Sequence, residues 1–172
     1  MAVLSIRKYG DPVLRRRAQA VREVTPELRR LAEDMSDTMY DEAGIGLAAP
    51  QVGESIRMMV VGDERGRNPR ALLNPVITEQ GGSVTAEEGC LSIPGLFADV
   101  TRAEWVHVEA QDLDGTPVSI RVRGFHARVF QHEMDHLDGV LFIDRLDPVT
   151  RDRTKRRIKK EGLSESHRAF AL

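Results

Sequence analysis

The hexapeptide Gln131-His132-Glu133-Met134-Asp135-His136 sets two histidines four residues apart, with a glutamate beside the first. On an α-helix, positions i and i+4 lie one above the other on the same face. Two imidazoles so placed can bind one metal ion, and Glu133 is near enough to move a proton on water held there. The chemistry suggested is metal-assisted hydrolysis, with the third ligand and the bond cut left open. A plainer reading is two solvated histidines on a charged helical face. Two features weigh against it: Phe125 and Val129 continue the histidine face inward, and the flanking Phe130, Leu137 and Val140 are apolar.

A catalytic metal site needs three protein ligands and an open position. Downstream, Glu161, Glu165 and His167 fall in a basic tail and are unattractive. Upstream, Cys90 lies in Glu87-Glu88-Gly89-Cys90-Leu91-Ser92. A thiolate suits Fe²⁺ or Zn²⁺ far better than Mg²⁺ or Ca²⁺. Taken alone, however, a single cysteine reads more readily as a small buried residue. A third segment, Gly44-Ile45-Gly46-Leu47-Ala48-Ala49-Pro50-Gln51, has small residues that let a backbone approach something closely. Gln51 could donate an amide hydrogen bond to a developing oxyanion. Alone, this segment reads better as a helix stop followed by a tight loop.

The elements that must carry these segments are legible from period and punctuation. Gly10-Asp11-Pro12 is a turn opening a short helical piece at Val13-Leu14-Arg15. Thr25-Pro26-Glu27 is a helix start, with a hydroxyl cap, proline in the first turn and an acid at the positive end. Leu28, Leu31, Ala32, Met35 and Met39 then mark one apolar face of a helix running to about Glu42, ended by Gly44 and Gly46. Ile56 to Val61, Ala71 to Thr78, Gly82 to Ala86, Trp105 to Gln111 and Pro117 to Arg123 read as strands. Asp112-Leu113-Asp114-Gly115 suits a hairpin loop between the last two. A helix follows Gly124, closed by Asp138-Gly139, and a basic helix is expected from about Asp147 to Lys160. This order gives an α+β fold: short antiparallel strands packed around a central metal-binding helix, with an N-terminal and a C-terminal helix. Trp105 is expected in the core.

The 172 residues suit one domain, with no repeat or long linker, and a 41% apolar fraction supports a real core. A net charge of −2 points to no particular partner, DNA included, and one cysteine excludes a disulfide within the chain. No stretch approaches the ~18–20 apolar residues of a membrane span. The opening Met1–Lys8 is too short and too quickly charged for a signal peptide. A cytoplasmic protein is expected.

The three segments together resemble the peptide deformylase family. That family carries a G-φ-G-φ-A-A-x-Q loop, an E-G-C-φ-S segment and a Q-H-E-x-D-H-φ-x-G helix, φ being apolar. Here they read Gly44 to Gln51, Glu88 to Ser92 and Gln131 to Gly139, and Gly10 to Arg15 looks like the family's opening. The resemblance implies that Cys90, His132 and His136 hold one divalent metal, Fe²⁺ in the cell, with Zn²⁺, Ni²⁺ or Co²⁺ as substitutes. It implies that Glu133 is the base, and that Gln51 and the Leu91 backbone N–H stabilise the oxyanion. The substrate would be the N-formylmethionine of a new polypeptide, lying as an added strand against Gly44, Gly46 and Gly89. Ile45, Phe125 and Val129 are the candidate wall of the methionine pocket.

Arg128, where apolar residues are expected in the family, should either reach solvent at the pocket rim or contact substrate beyond methionine. Glu88 could pair with Arg102 and orient the Cys90 loop, or form a solvated surface pair. His107, His126 and His167 lack metal-ligand spacing and should have ordinary surface or packing roles. Residues 151–172 carry a net charge of +5, leaving −7 on the rest. Such a tail is commonly a solvated face, but the resemblance to a family that works on nascent chains implies contact with ribosomal RNA as the sharper expectation. Two rivals remain: an H-E-x-x-H metallopeptidase, which would not use Cys90, and a non-catalytic zinc module, which would need a fourth ligand.

Overall fold

A computed structural model describes residues 2–163. Helix α1 spans Pro26–Asp41 and begins as its sequence requires: the Thr25 hydroxyl accepts from the Leu28 N–H at 3.1 Å, and Pro26 occupies the first turn. Its Leu28, Ala32, Met35 and Met39 face is buried. Seven strands follow: β1 (Gly46–Ala48), β2 (Met58–Val61), β3 (Arg70–Gly81), β4 (Val84–Cys90), β5 (Ile93–Arg102), β6 (Trp105–Gln111) and β7 (Pro117–Arg123). Helices α2 (Gly124–Leu137) and α3 (Pro148–Glu161) complete the order, and short 3-10 turns cover Pro12–Arg15, Ala49–Val52 and Phe142–Arg145.

The strands form two antiparallel sheets, one of five strands in the order β1-β2-β3-β6-β7 and one hairpin, β4-β5. Two strands lie where sequence pattern placed none. Ile93–Arg102 contains Pro94 and Gly95 near its start and no clean alternation, so its strand character comes from pairing with β4. Gly46–Ala48, read as loop, pairs with Met59 to Val61. The fourth strand begins at Val84, because Gly82 lies in the turn at φ 71°.

Helix α2 is buried along most of its length. Ala127, Val129, Phe130 and Met134 pack on Met59, Val61, Leu72, Val106 and Val108 of the five-stranded sheet. Cys90, Ile93 and Val100 of the β4–β5 hairpin join a separate cluster with Leu141, Phe142, Ile143 and Ile158. Burial on α2 begins at Ala127, since Phe125, expected to point inward, is 47% exposed. Trp105 also departs from expectation. It starts β6 but is only half-buried, its ring close over Gly81 and under the Arg121 guanidinium at 4.1 Å. No described helix is long and apolar enough to cross a membrane.

Candidate active site

Three elements converge on one buried point. Helix α2 supplies His132 and His136, each 1% exposed, and Cys90 comes from the end of β4. The Cys90 Sγ lies 3.4 Å from Nε2 of His136, which lies 3.3 Å from Nε2 of His132. All three donor atoms fall within 4.8 Å of one another. Metal–nitrogen and metal–sulfur bonds of ~2.0–2.3 Å give tetrahedral edges of roughly 3.3–3.6 Å, so the two short separations are those of donors around one cation.

The protonation states fit the same reading. Burial alone would raise Glu88, but hydrogen bonds from His132 and Arg102 outweigh it and hold the carboxylate at about 2. Glu88 is therefore an acceptor, and the Nδ1 of His132, 3.0 Å from its Oε1, must carry the proton. Nε2 is then the ring atom that faces the cluster. Burial, and then His132, hold His136 well below the ordinary imidazole range, leaving it neutral as a ligand must be. Burial pushes the Cys90 thiol up to about 12, with the Glu133 charge adding to it, although backbone N–H groups of Ser92 and Ile93 face the sulfur. A thiolate at this place needs a cation beside it. The donor set fits a divalent transition metal.

Glu133 is fully buried, and neither of its carboxylate oxygens has a hydrogen-bond partner within the protein. One of them is 4.0 Å from Nε2 of His132. Burial, with the Glu88 charge adding to it, pushes Glu133 well above the usual carboxylate range. That is the direction a base working near neutral pH requires.

The Gly44–Gln51 segment closes the site from the other side. Gln51 is fully buried, and its Oε1 accepts from the Ala48 N–H at 3.0 Å. That bond fixes the amide so that Nε2 faces Ser92 Oγ at 3.2 Å and Cys90 Sγ at 3.8 Å. Leu91 is buried beside Gly44, whose Cβ position would stand 3.1 Å from its Cδ1. Gly46 lies against Val129 and Glu133, and Gly89 against the ring of Phe97. Ile45 is half-buried next to the α2 cluster. The structure thus brings together every candidate site residue except Phe125, which stays at the surface.

The surroundings of the donors were only partly expected. Glu88 and Arg102 form a buried bidentate pair at 2.6 and 3.0 Å, the orienting alternative rather than the solvated one. Arg102 also reaches Asp135 at 2.9 Å, which Arg145 holds from the other side. Arg128 fits neither expectation. It is 4% exposed, and its guanidinium bonds Glu88 instead of reaching solvent or a substrate cleft. Its spacing one turn before His132 was the only sequence signal. His107 and His126 have ordinary partners, Ser119 Oγ and the Gly62 carbonyl. His167 and Glu165 lie outside the described residues. A cavity of about 540 Å³ opens where α2 presents Gln131, Met134 and Asp135, with Asp138 just beyond the helix end, and none of the metal donors lines it.

The polypeptide deformylase family model matches residues 3–152. The peptide deformylase of Desulforudis audaxviator is 50% identical over 150 residues, covering 87% of this chain and 97% of the relative. That of Alkalilimnicola ehrlichii is 48% identical over 162 residues, covering 93% and 91%. The crystal structure of peptide deformylase from Thermus thermophilus superposes with a TM-score of 0.87 at 48% identity, covering 92% of this chain and 95% of that one.

Proposed function

The chain belongs to the polypeptide deformylase family, and on that premise we propose how its residues carry out the reaction. The activity is hydrolysis of the formyl amide on the N-terminal methionine of new polypeptides, giving formate and a free amine. In this reading Cys90, His132 and His136 hold the metal, Fe²⁺ in the cell, with Zn²⁺, Ni²⁺ or Co²⁺ able to replace it. The cation supplies an acidified water and a Lewis acid for the formyl oxygen.

Glu133 takes the proton from the attacking water and passes it to the leaving amine. The observation that carries this is its pair of buried, unpartnered oxygens next to a three-donor cluster. Gln51 Nε2 and the Leu91 backbone N–H donate to the oxygen that gains negative charge. The Ala48 bond that fixes the Gln51 amide supports this role. Burial of the whole set excludes bulk water and strengthens each interaction.

The substrate backbone adds as a strand between the two sheets. Among the described residues β1 and β4 each pair with one strand only. The Ile45 carbonyl accepts from the Gly62 N–H across β2, so by alternation Gly46 turns its own N–H and C=O to the open edge. Gly44 and Gly89 keep that edge free of side chains. Main-chain pairing of this kind reads backbone and tolerates varied sequence. Ile45, Val129 and Phe125 form the methionine pocket, with Phe125 at its exposed mouth.

The whole chain acts as one catalytic unit in the cytoplasm, where nascent chains emerge. Its basic C-terminal segment docks on ribosomal RNA phosphates. Six exposed Lys and Arg side chains on α3, among them Arg153, Arg156 and Lys160, support that role. Ribosome binding that weakens as salt rises, and that is lost at low salt on reversing these charges, is the check.

The test of the catalytic reading is formate release from a short N-formyl-methionyl peptide by anaerobically prepared, Fe²⁺-loaded protein. Release that stops on chelation and returns with metal supports it. No release from fully loaded protein overturns it.

A further inference from the structure

We propose that Arg128 is a positioning residue for the metal site, holding Glu88 on His132 and tying the hairpin that bears Cys90 to the helix that bears the histidines. This rests on the reading of Cys90, His132 and His136 as metal ligands. Arg128 stands on α2 one turn before His132, with its side chain 5% exposed. Its guanidinium donates to Glu88 Oε2 at 2.5 Å, to the Val100 carbonyl at 2.8 Å and to the Val84 carbonyl at 2.7 Å. All three acceptors belong to β4 and β5, so one side chain of the helix grips both strands of the hairpin.

The bonds at Glu88 give the grip its consequence. Its Oε2 takes Arg128 and Arg102, and its Oε1 takes Arg102 and His132. Four donors fill the roughly four lone-pair sites of a carboxylate, and the group has no freedom to rotate off His132. Arg128 supplies one of the two bonds that fix the far oxygen. The β4–β5 hairpin is not part of the sheet on which α2 packs. No ladder bond therefore sets the distance from Cys90 to the imidazoles. Side chains tie the two instead, and they run in opposite directions: Arg102 reaches from β5 to Asp135 on α2, and Arg128 from α2 back to β4 and β5.

A purely electrostatic role would act the other way. Arg128 is a buried cation near a cation site, and removing its charge would tighten metal binding. A positional role predicts weaker binding, because partners of metal ligands typically contribute ~10–100-fold in affinity. Lysine keeps the charge but lacks the planar fork that reaches several acceptors at once.

The experiment is Co²⁺ affinity, by chelator competition, and the visible spectrum of the Co²⁺-loaded protein, for wild type, Arg128→Met and Arg128→Lys. Circular dichroism identifies conditions in which each is fully folded. Arg128→Met should bind Co²⁺ ~10–100-fold more weakly and shift the visible bands, and Arg128→Lys should lose severalfold despite its charge. Affinity equal to or tighter than wild type, with unchanged bands, overturns the proposal. If Arg128→Met does not fold, the lysine variant decides by the same two readouts.

Discussion

Glu133 rests directly against the backbone of Gly46: a Cβ on that glycine would lie 2.8 Å from Cγ of the glutamate and 3.0 Å from Cγ1 of Val129. Carbon atoms pack at about 3.5–4.0 Å, so a methyl group there cannot be placed without moving Glu133. Gly46→Ala should displace the carboxylate while leaving Cys90, His132 and His136 intact. A displacement of ~1 Å can lower turnover about 10²-fold. The expected result is a loss of that order in kcat with metal content unchanged, and near-normal kcat would show that the base has room to spare.

Gln51 has two duties. Its Oε1 secures the Ala48 N–H, and its Nε2 faces the cluster. Gln51→Ala removes both. Loss of an oxyanion donor costs roughly 10²–10³-fold in kcat, and the freed buried N–H costs a further ~1–3 kcal/mol of stability. Steady-state kinetics beside a urea melt separate the two. A stability loss without a kinetic one would remove Gln51 from the chemistry.

Acid lability has a specific source at the turn after α2. Asp144 is partly buried, which raises it, but the Arg15 side chain at 2.5 and 3.2 Å and the Leu141 N–H outweigh burial and hold it below the ordinary 3.8. A carboxylate lowered by folding stabilises the fold above its unfolded value, and that contribution is lost as pH falls through the folded value. For a part-exposed pair the amount is about 1 kcal/mol or less. Asp144→Asn should therefore be less stable than wild type at pH 7, and the gap should close as pH falls below the ordinary 3.8 and Asp144 protonates in the folded protein. A gap independent of pH would mean that packing, not charge, is at work.

Much of the site was legible because chemistry dictates residue type at fixed spacing. The i, i+4 histidines could face one ion only on a helix, and α2 is that helix. Thr25-Pro26 fixed the start of α1 through local capping alone. Long-range contacts were not legible. Cys90 gave no sign by itself of lying 3.4 Å from His136, and only the family resemblance placed it there. Strand β5 carries little β pattern of its own and exists through its partner β4. Arg128 illustrates the limit best. A long charged side chain on a helix ordinarily reaches water, and only the tertiary placement of Glu88, Val84 and Val100 turns it inward.

The central claim is that Glu133 is the base beside a metal held by three other side chains. Glu133→Gln is nearly isosteric and leaves all three donors in place. Metal content and formate release from an N-formyl-methionyl peptide should be measured on the same preparation. The account predicts about one metal per chain, as in wild type, with release slowed by ~10²–10⁴-fold. Release within threefold or so of wild type at full metal occupancy would contradict it, since general-base catalysis of this kind contributes at least ~10²-fold.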